Sequence, residues 1–378
     1  MDFSFRPLEG GYEIPMRVVG ANIYYEWLIY ILMWIPIGIF LYGVYKRVRI
    51  WMQARGEGDR KEPVGKRINS FLYHTLGQTR VIEKPFAGWM HFFLFWGFVI
   101  LLIATASFAL WNVTGFPPLT GNIYVYFSWF IDIMGFLAMI GIAALAYIRY
   151  VQRPDRLNDS KPLDGWILAL IFAILFTGYI VEGLRIAAQI KLAPTMAAIA
   201  YEKTASPIGW IFAGMFSGAA LESMLSWHRF MWWFHMAISF LFIGMVPFTK
   251  LWHIFTGMTS YYARDYQPQV ARPVENIEEA ETYGIETIEE FSWKDLLDLD
   301  ACIRCGRCQE ACPTYNTGKA LNPKITIIQA LKKHMDNKSP FMLGEGDGDM
   351  EAVTMTTEAE IEGVIETEKH MIYDIVTP

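Results

Sequence analysis

The sequence contains four cysteines, and all of them lie within eleven residues near its end. Their spacing, C-x2-C-x2-C-x3-C followed by proline, is typical of thiolates that wrap a cubane [4Fe-4S] cluster. A zinc site or disulfides are weaker alternatives, because zinc favours paired C-x2-C knuckles and a cytoplasmic location disfavours disulfides. The expected cluster ligands are Cys302, Cys305, Cys308 and Cys312.

The number of cysteines leaves the ligand set open. In proteins with this motif the fourth cysteine usually binds a second cluster, whose own motif supplies the missing ligand of the first. The sequence has no second motif. Either Cys312 completes one cluster by an unusual route, or the reciprocal cysteines come from another polypeptide or from a continuation beyond Pro378. We favour the last two, because the final "HMIYDIVTP" is more typical of an interruption than of a domain end.

Histidines in apolar segments are the second set of candidate ligands. An ionisable side chain inside a bilayer is costly and usually functional, and no C-x-x-C-H site is present, so any haem would be non-covalent haem b. His253, near the end of the last apolar segment, and His91, near the start of the second, would lie at the same membrane face and bind an inner haem. His235 lies 18 residues before His253, which on one continuous helix corresponds to about five turns and ~27 Å.

Whether a second haem b is present stays open; His235 is its candidate ligand, and the partner of His235 is open. Leu101 stands ten residues after His91, where an outer ligand would be expected. His228 is a weaker alternative. It lies on the same helical face as His235 but about 10 Å away, which is too far for both rings to bind one iron. His334 and His370 are expected at the surface. Because the partner of His235 is open, the chain is expected to bind either one haem or two.

One acid–base pair stands in the fourth apolar segment. Glu182 and Arg185 are three residues apart, which places them on one face of a helix near its outer end. One interpretation is an ion pair at the membrane interface. The other is a quinone site, because quinone chemistry moves protons together with electrons and a carboxylate can relay the protons.

Hydrophobic segments must position these residues. Hydrophobic residues make up 53% of the 378 residues and aromatic residues 16%, which is typical of an integral membrane protein with a soluble appendage. A sixth apolar window, Pro207–Leu221, is short enough to be interfacial or re-entrant. We predict an all-α fold: a five-helix transmembrane bundle followed by a small α-helical cluster domain. The predicted spans are Ile23–Val44, Phe86–Trp111, Ile123–Tyr150, Trp166–Ile190 and Phe230–Thr256.

Charge predicts the orientation of the spans. Ten lysines and arginines lie between spans one and two, three lie between spans three and four, and none lies between spans two and three. By the positive-inside rule the amino terminus is outside and the cluster domain is cytoplasmic. The first 22 residues lack a signal-peptide pattern, so the first span is expected to direct insertion. The net charge of −6, with acidic stretches at Glu275–Asp300 and Glu345–Asp374, makes a nucleic-acid partner unfavourable.

These patterns divide the chain into five regions. The cluster domain is expected to contain one helix entering the site, in "FSWKDLLDLDACIRC", and one leaving it, in "NPKITIIQALKKHM". The acidic tail would continue into a second cluster motif or dock on one. The regions are an outer segment at 1–22, a haem-binding membrane domain at 23–257, an acidic linker at 258–290, a [4Fe-4S] domain at 291–340 and the acidic tail at 341–378.

The motifs resemble those of a known family. "GWMHFFLFWGF", "TGYIVEGLRIA" and "WWFHMAISFLFIGMVPFTKLWHI" resemble the cytochrome b subunit of respiratory nitrate reductase and, more closely, that of membrane-bound heterodisulfide reductase. "CIRCGRCQEACPTYNTGKALNPKIT" is similar to the iron–sulfur subunit of heterodisulfide reductase. The resemblance covers roughly residues 23–335. It implies haem ligation by His91, His235 and His253 and cluster ligation by the four cysteines.

The resemblance also implies a function. Such proteins, in the prokaryotic cytoplasmic membrane, exchange electrons between menaquinone and a cytoplasmic partner, either a disulfide-reductase-type module or an electron-transfer flavoprotein. A different hypothesis makes the chain a non-catalytic haem and iron–sulfur anchor that relays electrons within a larger complex. A third, less favoured, is a transporter with an iron–sulfur sensor that uses Glu182 and Arg185 as a substrate path.

Overall fold

A computed structural model describes residues 5–7, 13–15, 22–54, 63–114, 120–192, 196–264, 266, 278, 285 and 287–337. Over these residues the regular secondary structure is helical except for two strands, β1 (Phe5–Pro7) and β2 (Glu13–Pro15), which pair antiparallel. The predicted all-α class is confirmed. His370 and the predicted acidic tail lie outside the described residues.

Fifteen α-helices lie within the described part of the chain. Turns of 3-10 helix occur at Asp155–Leu157, Val246–Phe248, Lys250–Trp252 and Ile288–Glu290, and π-helical turns at Leu72–Leu76, Ile148–Gln152 and Pro323–Gln329. The α-helices are α1 (Leu28–Leu32), α2 (Trp34–Trp51), α3 (Val64–Phe71), α4 (Thr79–Ile82), α5 (Pro85–Thr114), α6 (Gly121–Tyr147), α7 (Pro162–Leu192), α8 (Met196–Ala205), α9 (Pro207–Phe216), α10 (Leu221–Met245), α11 (His253–Tyr262), α12 (Trp293–Ala301), α13 (Arg307–Ala311), α14 (Pro313–Asn316) and α15 (Ala330–Asn337).

Five helical segments are long and apolar enough to cross a bilayer, as predicted. Large apolar side chains on them are exposed, such as Trp34 (64%) and Leu102 (58%), which is expected of surfaces that face lipid. Helix α9, inside the sixth apolar window, has 10 residues and is about 15 Å long, too short to span. The five segments are Leu28–Trp51, Pro85–Leu110, Gly121–Gln152, Pro162–Leu192 and Leu221–Phe248.

The expectation that His235 and His253 share one continuous helix is wrong. Helix α10 ends at Met245, two 3-10 turns follow, and His253 begins the separate helix α11. The physical reason is Pro247, which has no amide hydrogen to donate to the preceding turn and whose ring disfavours continued α-helix. The 18-residue spacing therefore does not set the distance between the two rings.

The chain forms two compact units, and the first comprises Met1–Leu41 and Leu72–Met245. In it α6 packs against both α5 and α7, and α7 packs against α9 and α10. Helices α5 and α6 approach closely because both carry glycine at the crossing: a Cβ atom at Gly97 would lie 2.8 Å from the Met134 carbonyl oxygen. Small residues at such crossings are typical of membrane helices, and here they fix the helix that carries His91.

The second unit comprises Tyr42–Phe71 and Val246–Pro378. Its core consists of Ile50, from the end of α2, with Leu296, Leu299 and Met335 from α12 and α15. Helix α12 begins with a capping box in which Ser292 and Asp295 satisfy each other's backbone amides. Helical structure is present on both sides of the cysteines, as predicted.

A buried ion triad joins three parts of the second unit. Arg47 Nη1 on α2 donates to Asp300 Oδ1 at 2.6 Å and to Asp336 Oδ1 at 2.5 Å, and all three side chains are buried. Trp51 Nε1 donates to the other oxygen of Asp300 at 2.8 Å. Burial raises the pKa of Asp300, while Arg47 lowers it. The sequence analysis used Arg47 only as one of the positive charges that orient the spans and missed its role in this triad.

Replacing Arg47 with Met is expected to destabilise the second unit by about 3–5 kcal/mol, because two buried carboxylates lose their common partner. The measurement is the urea midpoint of the detergent-solubilised protein, followed by tryptophan fluorescence. Arg49→Met is the matched control, since Arg49 lies exposed on the same helix. Equal midpoints for the two variants would contradict the prediction.

Candidate functional site

The four cysteines lie in and between three consecutive helices, over residues 302–312, the cysteine loop. Cys302 follows α12, Cys308 lies in α13, and Cys312 separates α13 from α14. Cys305 lies in the intervening turn, where Arg304 adopts a positive φ of 56°. Short helices joined by tight turns allow cysteines close in sequence to surround one centre.

Two sulfur atoms of the cysteine loop accept hydrogen bonds from nitrogen donors. Gln329 Nε2 lies 3.4 Å from Cys302 Sγ, and the backbone nitrogen of Tyr315 lies 3.5 Å from Cys312 Sγ. Such donors stabilise negative charge on sulfur, which an iron-bound thiolate carries. The loop therefore fits a ligand set of thiolates.

Three cysteines of the loop interact electrostatically. Burial raises the pKa of Cys308, and the neighbouring Cys302 and Cys305 raise it further, so these thiols lie within electrostatic range of one another. In the described part of the chain, no group of three His, Cys, Asp or Glu side chains has the arrangement of a site for a single metal ion.

His253 has the orientation of a metal ligand. Its Nδ1 lies 2.6 Å from the carbonyl oxygen of Lys250. A carbonyl can only accept, so Nδ1 carries the hydrogen and the lone pair lies on Nε2. Burial lowers the pKa of His253, and the charge of Lys332 lowers it further, so both keep the ring neutral. A neutral imidazole whose second nitrogen donates to a carbonyl is the usual form of a ligating histidine.

His235 and His91 have the same tautomer. Thr177 Oγ1 lies 2.9 Å from His235 Nδ1 and already donates to the Ala173 carbonyl at 2.7 Å, so it accepts from the ring. Gln78 Oε1 lies 3.1 Å from His91 Nδ1, and the amide is oriented because Gln78 Nε2 donates to a carbonyl at 2.6 Å. All three predicted haem ligands therefore carry their lone pair on Nε2.

His228 differs from these three. It is buried, and its Nδ1 faces the amide nitrogen of Asn22 at 3.4 Å. The Asn22 amide is oriented because its oxygen accepts from Arg229 at 2.8 Å and its nitrogen donates to the Leu225 carbonyl at 2.8 Å. His228 Nδ1 therefore accepts, and its hydrogen lies on Nε2, which disfavours ligation through that nitrogen.

Glu182 and Arg185 are in contact, and a third charge that the sequence analysis missed joins them. Arg185 Nη2 lies 2.7 Å from Glu182 Oε1 and 2.8 Å from Glu202 Oε2. Arg185 Nε reaches Glu182 at 3.3 Å, and Nη1 reaches Glu202 at 3.2 Å and Gln189 at 2.8 Å. Arg185 and Glu202 are 4% and 3% exposed, so this is a buried charge network and not a pair at the surface.

A third carboxylate lies beside this network. Asp132 on α6 is buried and accepts from the backbone nitrogens of Ile208 and Gly209, at 2.7 and 3.1 Å, at the start of α9. Ser206 donates to Glu182 at 3.1 Å. We name Asp132, Glu182 and Glu202 with Arg185 the carboxylate cluster. Its formal charge is negative, since it contains three carboxylates and one guanidinium.

The sequence contained a signal for one of the two missed carboxylates. Asp132 is an acidic residue in the middle of an apolar segment, which is itself a reason to expect function. Glu202 lies on α8, outside every apolar window, and only the fold brings it to Arg185. His334, in contrast, is exposed.

Two family models match the chain. Residues 118–272 match the nitrate reductase gamma subunit, and residues 293–314 match a 4Fe-4S binding domain. The chain thus combines a cytochrome b region with an iron–sulfur region, which confirms the resemblance inferred from the motifs. Together with the five apolar helices, these matches indicate a membrane protein.

Two relatives align with larger parts of the chain than the family models do. It is 57% identical over its whole length to "EtfAB:quinone oxidoreductase" of Syntrophomonas wolfei, of which it covers 53%. It is 27% identical over 72% of its length to "Probable iron-sulfur-binding oxidoreductase FadF" of Bacillus subtilis, of which it covers 38%. The chain therefore spans about half or less of these relatives. No solved structure matches it.

Replacing His253 with Ala is expected to lower the haem content of the purified protein, because it removes an Nε2 lone pair held in place by the Lys250 carbonyl. Haem per chain is measured from the pyridine haemochrome spectrum. His228→Ala and the exposed His334→Ala serve as controls and are expected to retain full haem content. Haem loss from His228→Ala, with full retention in His253→Ala, would reverse the ligand assignment.

Proposed function

We propose that the chain is the membrane part of an oxidoreductase that passes electrons between a menaquinone pool and a cytoplasmic redox partner. Haem b and a [4Fe-4S] cluster would supply one-electron redox chemistry between these two substrates. The observation that carries the proposal lies in the second unit, where Lys332 contacts the Cys302 carbonyl and its charge also acts on His253. A haem ligand and the cysteine loop thus lie within electrostatic range of the same ammonium group.

The proposed ligands follow from the tautomers. His91 and His253, which the sequence predicts as ligands of an inner haem, are each proposed to bind haem b through Nε2, and His235 is proposed as a ligand of a second haem b. Gln78, Thr177 and the Lys250 carbonyl hold the three rings by their Nδ1 hydrogens. Fixed rings favour a constant coordination geometry between redox states.

Cluster binding is assigned to Cys302, Cys305, Cys308 and Cys312. Nitrogen donors on Cys302 and Cys312 stabilise the negative charge of the bound thiolates. Reciprocal cysteines of a second cluster would come from the partner or from further chain. The name of the Syntrophomonas relative supports an electron-transfer flavoprotein as partner, in preference to a disulfide-reductase-type module.

Quinone chemistry is assigned to the carboxylate cluster, with different roles for its members. The five N–H groups of Arg185 match the five hydrogen bonds that it donates to Glu182, Glu202 and Gln189. Arg185 therefore orients the carboxylates and does not bind a quinone oxygen. Glu182 is the least buried partner of Arg185, with 14% of its side chain exposed, and is assigned to exchange a proton with the quinone.

The location follows from charge. Basic residues between spans one and two and between spans three and four favour a cytoplasmic position for these loops and for the cysteine loop, with the amino terminus outside. Glu182 then lies toward the outer side. Quinol oxidation there would release protons outside while electrons move to the cytoplasm.

A second candidate function is a non-catalytic haem and iron–sulfur relay subunit. The observation that favours it is the same complete set of hydrogen bonds at Arg185, which is also what a purely structural ion network requires. Quinone analogues distinguish the two functions. A shift of the haem spectrum of the full chain on adding a menaquinone analogue supports the quinone site, and an unchanged spectrum supports the relay.

Replacing Glu182 with Gln is expected to leave haem and iron content unchanged and to slow menaquinol oxidation by about 100-fold, the lower end of the usual general acid–base contribution. The rate is measured with the fully loaded protein and an artificial electron acceptor as a function of pH. Glu222→Gln, at an exposed position at the start of α10, is the matched control. Unchanged turnover in Glu182→Gln would remove Glu182 from the site.

A further inference from the structure

Lys332 is a buried lysine beside the cysteine loop. It lies on α15 with 7% of its surface exposed. Its Nζ lies 3.4 Å from the backbone carbonyl oxygen of Cys302 and 3.4 Å from that of Asp300. One turn earlier, Gln329 reaches the sulfur of the same cysteine. Two donors spaced i, i+3 therefore meet Cys302, one at its sulfur and one at its carbonyl.

The carboxylates near Lys332 are engaged by another cation. Asp300 and Asp336 both pair with Arg47, and Asp300 also accepts from Trp51. Lys332 instead directs its ammonium group at backbone carbonyls. Among the described residues the four charged groups balance formally, two cations against two carboxylates. Removal of Lys332 would leave a buried site with one surplus negative charge.

A positive charge held at a fixed distance stabilises the more negative state of a redox centre. Reduction adds one electron to a cluster, so a nearby ammonium group favours the reduced cluster and raises its midpoint potential. Low solvent access strengthens this effect, because water screens a buried charge poorly. Lys332 meets both conditions through burial and through its contact with a cluster ligand.

We propose that Lys332 is a positioning residue that raises the midpoint potential of the cluster bound at the cysteine loop by placing a buried positive charge against Cys302. The proposal rests on cluster binding as part of the proposed function. It assigns Lys332 no contact with quinone, partner or the reacting atoms.

The test is a redox titration of the cluster in the full, haem-loaded chain, monitored by electron paramagnetic resonance. Lys332→Gln removes the charge, Lys332→Arg retains it, and Lys333→Gln removes the same charge at the next position of the helix. We expect the ratio of reduced to oxidised cluster in Lys332→Gln to fall about tenfold at fixed ambient potential, which is ~59 mV for one electron. Lys332→Arg and Lys333→Gln should titrate like the parent protein.

Iron and sulfide content are measured for every variant, so that failure of cluster binding is distinguished from failure of the proposal. A parent protein without a cluster would refute the proposed function. If the cluster-loaded Lys332→Gln protein has the midpoint potential of the parent protein, or the same shift as Lys333→Gln, the proposed function is not refuted, but the role of Lys332 is. Cluster loss from both Lys332→Gln and the nearly isosteric Lys332→Met, with retention in Lys332→Arg, would also overturn it, because Lys332 would then be a structural anchor.

Discussion

Two buried guanidinium groups, those of Arg47 and Arg185, are each shared by two carboxylates. Arg47 pairs with Asp300 and Asp336 beside the cysteine loop, and Arg185 pairs with Glu182 and Glu202 among the apolar helices. A buried charge without a partner costs several kcal/mol, so each arginine requires its carboxylates and each carboxylate requires its arginine. This requirement brings together residues far apart in sequence.

The cost of burying an unpaired charge also affects which ring nitrogen of each histidine carries the hydrogen. Imidazole in an apolar segment is least costly when neutral, and a neutral ring must place its hydrogen on one nitrogen. Backbone and side-chain oxygens select Nδ1 in His91, His235 and His253, whereas an amide nitrogen makes Nδ1 of His228 the acceptor. A single hydrogen bond thus separates the proposed ligands from His228, which the sequence offers only as a weaker alternative.

The sequence predicts features that depend on local patterns. Hydropathy located the five helices, and cysteine spacing indicated the cluster, because each is specified within about 30 residues. Three features were not predicted. Pro247 ends α10 before His253, Glu202 reaches Arg185 from a separate helix, and Arg47 pairs with residues more than 250 positions away. Pro247 can be recognised in the sequence as a residue that ends a helix, whereas the contacts of Glu202 and Arg47 depend on tertiary packing.

The charge at the two proposed redox sites differs in a way that suits different chemistry. The carboxylate cluster contains three carboxylates and one guanidinium, which leaves a negative surplus that a proton can remove, so electron transfer there can be coupled to proton transfer. Iron-bound thiolates at the cysteine loop would not accept protons in this way; Gln329 donates to the sulfur of Cys302, and Lys332 places a positive charge at its carbonyl oxygen. Exchangeable protons at one site and fixed charges at the other would confine proton release to the quinone side, while electrons alone reach the cytoplasmic side.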